Sequence, residues 1–217
     1  DAQYVGHSPL FTDHADGTVT GRITGLMWQK TPAARKYDQR DSEAYADKLR
    51  LAGHADWRLP TIKELFSLTD FRGNQHAGKP YLDTSVFDFE FPVATGNRPG
   101  TRGMDGQYAL AIYYLGITTG RDRSSFGFNF AAGRIKSYPL RALRYVRRVR
   151  GNPRYGRNSF RDNRDGTVSD LATGLVWQQA DSGRAMDWRE SLRYADKFKL
   201  AGQGDWRLPN VKELQSI

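Results

Sequence analysis

The 217-residue chain has no cysteine. Disulfide scaffolds, thiolate zinc sites, iron–sulfur clusters and cysteine nucleophiles are therefore excluded together. No apolar run approaches the ~18 residues that a membrane-spanning helix needs. The four histidines, His7, His14, His54 and His76, are scattered without an H-x-x-H or H-E-x-x-H spacing, which argues against zinc. There is no G-x-S-x-G elbow and no P-loop, and the TTGRDRSSFG stretch around Gly120 lacks the K-[ST] of a phosphate cradle. No spacing singles out a carboxylate pair for glycoside hydrolysis. With no nucleophile–base constellation in view, the expectation is a protein that is not an enzyme and carries no cofactor.

What the sequence does have is a repeat. Residues Phe11–Leu68 align without gaps onto Phe160–Ile217 with roughly half the positions identical. The length also suits one large domain or two small ones. We read residues 1–151 as one complete copy and residues 152–217 as the front half of a second. A half copy leaves a sheet edge open. It is expected to be marginal alone unless it packs on the first copy or swaps strands with a neighbour. The chain opens at Asp1 with no leader-like run, which we read as the mature form of a secreted protein.

Each copy begins with hairpin chemistry. Asp16-Gly17 and Asp165-Gly166 are turn dipeptides followed by short strands, and Thr24-Gly25 and Thr173-Gly174 precede the strands at Leu26–Trp28 and Leu175–Trp177. Asp38 with Asp41, and Asp187 with Glu190, have capping-box spacing for a helix whose apolar stripe is Tyr45, Ala46 and Leu49, or Tyr194, Ala195 and Phe198. Gly53 and Gly202 fit its stop. Thr61 with Glu64, and Asn210 with Glu213, cap a second helix, Ile62–Ser67 in the first copy. Beyond it, residues 108–118, 126–131 and 144–149 read as strands, with turns at Gly120 and Gly133 and loops at 72–79 and 95–107. The class is α+β, mainly antiparallel sheet with two helices per copy.

Side-chain roles follow from the same patterns. Trp28, Trp57, Trp177 and Trp206 sit in apolar strand and turn contexts and read as core rather than sugar-stacking platforms. Arg58 with Glu64 and Arg207 with Glu213 read as internal ion pairs. Asp13, His14 and Asp16, with Asp162, Asn163 and Asp165, invite a calcium-loop reading. Thr12 and Arg161 fall where the first ligand should, however, so turns capped by their own side chains are favoured.

The net charge of +9 is localised. Between Arg134 and Arg161 no acid interrupts Arg134, Lys136, Arg141, Arg144, Arg147, Arg148, Arg150, Arg154 and Arg157, and the rest of the chain is close to neutral. Guanidinium forks pair bidentately with sulfate, carboxylate and phosphate, so the natural partner is an anionic polysaccharide or another polyanion. Strand alternation assigns Arg144, Arg148 and Arg150 to the solvent side, and puts Arg147 with Leu143 and Tyr145 on the other face, where it pairs with a carboxylate. The candidate ligand-binding set is Arg134, Lys136, Arg141, Arg144, Arg148, Arg150, Arg154 and Arg157. The competing interpretation is a solvated basic face that blunts a sheet edge.

The succession DGTV, TGL-x-W, YA, DWRLP, KEL, PYLDT, FAAGRI and YVRRVRG resembles the C-terminal domain family of the Legionella collagen-like (Lcl) adhesin. The resemblance covers the first copy and the front of the second, and DWRLP-x-x-KEL is its most specific block. It implies a variant C-type lectin-like fold in a secreted or surface-exposed binding module. The family often carries Cys where Arg148 stands here. The RLP-then-helix element is also similar to formylglycine-generating enzymes, whose cysteine chemistry this chain cannot supply. The namesake adhesin binds sulfated glycosaminoglycans and trimerises, but the resemblance does not fix the ligand, because this fold hosts many functions. Taken with the basic segment, it leads us to expect an anionic polysaccharide or other polyanion, and a homo-oligomer, as partners. A structural or protein-interaction module with no glycan ligand is the alternative.

Overall fold

A computed structural model describes residues 10–89, 106–117 and 121–217. It divides into two compact units, one holding residues 8–155 and the other residues 156–217.

In the first unit, β1 (Phe11–Asp13), β2 (Thr18–Gly21) and β3 (Met27–Gln29) form an antiparallel meander. Asp16 accepts hydrogen bonds from the Thr18 amide and hydroxyl, and Gly17 takes a φ of +87°, a conformation that strains any residue with a Cβ. Next comes α1 (Gln39–Lys48), with Asp38 accepting from the Asp41 amide at its N-terminus. The helix ends at Lys48 with an extended Leu49, earlier than the Gly53 stop suggests, and Gly53 belongs instead to the tight turn between Leu51 and His54. The helix α2 (Ile62–Ser67) opens on a reciprocal capping box between Thr61 and Glu64.

A second antiparallel sheet follows, with order β4 (Gln107–Tyr113), β5 (Ser124–Asn129) and β6 (Arg134–Pro139). β6 departs from the sequence reading, which has a turn at Gly133 and no strand between it and residue 144. Its Arg-Ile-Lys-Ser-Tyr-Pro sequence lacks clean apolar alternation and ends in proline, as an edge strand can. The expected turn at Gly120 and most of the 95–107 loop lie outside the described residues. The segment 144–150 then joins the two sheets. Tyr145 bridges Tyr108 of β4 in parallel, Arg144 bridges Tyr37, Val149 bridges Arg58, and β7 (Val149–Arg150) pairs antiparallel with β3.

The core lies where these layers meet. Val19, Leu26, Trp28, Leu65, Tyr108, Phe128 and Val149 form one buried cluster, and Ala33, Ala46, Leu59, Ala109 and Val146 form a second. Both tryptophans of this unit, Trp28 and Trp57, are buried, as their contexts imply.

The second unit repeats the front of this plan. β8 (Phe160–Asp162), β9 (Thr167–Asp170) and β10 (Leu175–Gln178) form a meander in the same order, followed by α3 (Trp188–Lys197) and α4 (Val211–Leu214). Gly166 repeats the positive φ of Gly17, at +84°, and Asn210 with Glu213 repeats the capping box. The architecture is α+β with three antiparallel sheets and four α-helices among the described residues.

Candidate functional site

The acid-free basic segment splits into an inside and an outside. Arg144, Arg147 and Arg148 are at most 1% exposed. For Arg144 and Arg148 this corrects the solvent-side assignment. Alternation hides one parity when one face of a strand is wet, but segment 144–150 has partners on every side: β3, β4, Tyr37 and Arg58.

Each buried arginine has its own environment. Arg144 donates to Ser125 Oγ at 2.7 Å and to Gln39 Oε1 at 2.9 Å, and the Ser125 hydroxyl donates to the same Gln39 oxygen at 2.8 Å. Gln39 Nε2 continues to Glu43 Oε1 at 2.8 Å, which also accepts from the Tyr113 hydroxyl at 2.6 Å. A buried polar network thus ties α1 to β5 and the closing segment. Arg147 is held by carbonyls rather than by the expected carboxylate: Nη1 donates to Gln29 O at 2.8 Å and to Lys30 O, and Nη2 to Asp88 O at 2.6 Å. Its guanidinium also lies over the Phe87 ring at 5.0 Å.

Arg148 has no hydrogen-bond partner for its guanidinium among the described residues, and lies 3.3 Å from the Tyr45 ring centroid. Tyr45 stacks on Tyr37, and Arg35 lies over Tyr37 at 4.8 Å, so the four side chains link in series. Burial lowers the pKa of all three arginines, that of Arg148 to about 10.

The outside of the segment is what a ligand can reach. Arg134 and Lys136 are exposed on the same side of β6, two residues and about 7 Å apart along the strand. Arg154 and Arg157 are also exposed. None of these four has an ion pair among the described residues. Two further members of the candidate set are engaged. Arg141 pairs with Asp122, and the half-buried Arg150 donates to Asp56 Oδ1 at 2.7 Å.

A second cationic cluster lies in the second unit, where linear charge counting does not find it. Glu190, Arg193, Tyr194 and Lys197 have helical i, i+3, i+4, i+7 spacing on α3. With Arg184 and Lys199 they line an open groove. That helical periodicity was available in the sequence as a signal.

The acidic turns are occupied by their own backbone. Asp13 accepts from the Ala15 amide and pairs with Lys30 at 2.5 Å, Asp162 accepts from the Arg164 amide, and Asp165 accepts from the amide and hydroxyl of Thr167. Arg58 grips Glu64 at 2.5 and 2.7 Å, and Arg207 grips Glu213 in the same way.

Comparison with known families fits this arrangement to one of them. The family model of the Lcl C-terminal domain matches residues 17–150 and 166–217. The chain belongs to that family. The first matched stretch ends on β7, so the closing segment with its buried arginines is part of the Lcl C-terminal domain rather than a linker. The second covers the repeated hairpin and both helices. No curated protein matches the chain. No helix among the described residues is long and apolar enough to cross a membrane.

Proposed function

We propose that the chain is a non-enzymatic binding module of a secreted or cell-surface protein, and that it holds anionic glycans, sulfated ones above all. The observation that carries this reading is the set of exposed, unpaired cations Arg134, Lys136, Arg154 and Arg157 in a stretch that contains no acid. Arginine forks recognise sulfate bidentately, and their charge accelerates encounter with a polyanion. The cations of α3 add a second patch of the same sign. Arg144 and Arg148 have no part in ligand contact in this reading, because they are consumed inside the fold.

The fold is inferred to be a variant C-type lectin-like one. In support, β3 near the start pairs with β7 at the close, and two helices and a second sheet lie between them in sequence. Residues 152–217 are interpreted as the front of a second copy of the domain, in which the elements recur in order.

Binding to sulfated, carboxylated and uncharged glycans and to DNA at physiological salt tests the function. Sulfated glycans should bind in preference to DNA, and Arg134→Ser, Lys136→Ser, Arg154→Ser and Arg157→Ser combined should weaken that binding by on the order of tenfold or more. Undiminished binding by the fourfold variant, or equal binding to DNA, contradicts the reading. A structural or protein-interaction module is the second reading. It is favoured by the exposed apolar side chains of the second unit, among them Trp188 and Leu214.

A further inference from the structure

The second sheet of the first unit has two ends, and the exposed cations of β6 mark only one of them. Arg134 pairs with Asn129 where β6 begins, and Pro139 pairs with Ser124 where it finishes. At the far end β4 stops at Tyr113, Tyr114 N donates to Ser124 O at 2.9 Å, and Leu140 N donates to Arg123 O at 3.0 Å. Large apolar side chains are exposed here: Tyr113, Tyr114, Leu115, Ile117 and, after the turn that follows β6, Leu143. Leu115 is 101% exposed and Ile117 69%, against 0% for Leu110 within β4.

The backbone holds these side chains outward. The Tyr114 ring packs edge-on against Phe126 of β5, with centroids 5.6 Å apart. The chain then folds back over the same ring, so closely that a Cβ on Gly116 would lie 2.9 Å from it. Tyr114 thus anchors the backbone on both sides of Leu115, which stands clear of the protein at the apex. Its surroundings are cationic. Arg121, Arg123 and Arg141 are exposed at this end, and the acid between the first two, Asp122, pairs with Arg141.

We propose that this end of the first unit is a membrane-contact site for a bilayer that contains anionic phospholipid. Leu115 and Ile117 enter the boundary between headgroups and acyl chains, Tyr113 and Tyr114 lie at headgroup depth, and Arg121, Arg123 and Arg141 pair with lipid phosphates. Each part has a physical reason. Aliphatic side chains exposed to water gain free energy when acyl chains cover them. Tyrosine, apolar in its ring and polar at its hydroxyl, suits the headgroup boundary. Arginines are drawn to an anionic leaflet within a Debye length and bind phosphate bidentately. The contact is shallow and reversible, as a tip with two aliphatic residues allows. Shape favours lipid over a protein partner, because Leu115 is convex and a fluid bilayer receives it without a matching pocket. A second copy of the same end is disfavoured, since it would set like charges face to face.

The test mixes the full chain with vesicles of phosphatidylcholine and phosphatidylglycerol, and with vesicles of phosphatidylcholine alone. Because the chain has no cysteine, Leu115→Cys carries a single environment-sensitive fluorophore, and Thr12→Cys, at an exposed position of β1, carries the control. The unlabelled chain should sediment with the anionic vesicles, and the label at position 115 should brighten and shift to the blue while that at position 12 does not. Leu115→Ser combined with Ile117→Ser, which leaves the core alone, should weaken vesicle binding on the order of tenfold or more. The same variant should keep whatever binding to sulfated glycans the parent chain has, so this proposal and the glycan reading fail separately. Equal vesicle binding by the double variant would reduce the effect to charge attraction and overturn the proposal. So would no sedimentation with anionic vesicles, or a label at position 115 that does not respond. A change in the oligomeric state of the free chain on the double substitution would place the tip between copies and overturn it as well.

Discussion

Trp28 and Trp177 occupy the same position in the same hairpin, between the same turn dipeptides, yet the first is sealed and the second half-buried. Leu65 and Leu214 differ more, at 0% and 56% exposure on corresponding helices. The hairpin registers, the capping boxes, the positive φ of Gly17 and Gly166 and the Arg–Glu grip are alike in both units. Local chemistry is therefore sufficient to place these elements, and it does not bury them. Burial comes from segment 144–150 and the β4–β6 sheet, which are distant in sequence and present in the first unit.

If that division holds, matched substitutions should have unmatched costs. Trp28→Ala should destabilise the first unit by about 3–5 kcal/mol, and Trp177→Ala should cost the second less than about half of that. Separate unfolding transitions in urea would report each, and equal costs would break the comparison.

Within the closing segment, Arg147→Met should cost about 3 kcal/mol, because it strands the Gln29, Lys30 and Asp88 carbonyls that the guanidinium satisfies. Arg148→Met should stay within about 1 kcal/mol of the parent. It gives up the contact with Tyr45 but also removes a buried charge that has no hydrogen-bond partner. Thermal unfolding of the two variants measures the contrast.

Acid should then separate the units. Burial disfavours the Asp170 carboxylate, but donors from Ser159, Asn158, Ala172 and Thr173 outweigh it and hold its pKa below the ordinary range, while hydrogen bonds from Arg207 lower that of Glu213. A depressed folded-state pKa contributes stability that is complete above the unfolded value of about 4 and is lost as pH falls through the folded one. The first unit has depressed carboxylates too, at Asp56 and Asp70, but a sealed core to spare. Tryptophan fluorescence against pH should show the second unit unfolding first.

The smallest effect should be the same in both units. Gly17→Ala and Gly166→Ala each place a Cβ at a positive φ and 3.3 Å from a leucine methyl, Leu51 or Leu200, and each should cost about 1 kcal/mol.

The same division explains what was legible in the sequence. Turn dipeptides, caps, the Arg58–Glu64 and Arg207–Glu213 pairs and the buried Trp28 and Trp57 are set by neighbours in the chain, and the sequence announces them. The environment of Arg144 and Arg148 is set by Gln39, Ser125 and Tyr45, which no period-two pattern reveals. β6 escaped because an edge strand with Arg134, Lys136 and Pro139 carries little apolar alternation. The α3 groove escaped because its cations converge by helical spacing across a stretch that also holds acids. Charge density along a chain is thus a poor guide to surface potential where arginines do internal work.

The central claim is that a closing strand distinguishes two units otherwise built alike. Amide-resolved hydrogen exchange of the free chain tests it at one pair of residues. Gln29 N donates to Arg148 O across the closed edge, and Gln178, in the same register against its own hairpin, faces an edge without a strand among the described residues. The account predicts that Gln29 exchanges on the order of a hundredfold or more slower than Gln178. Equal protection of the two amides would contradict it.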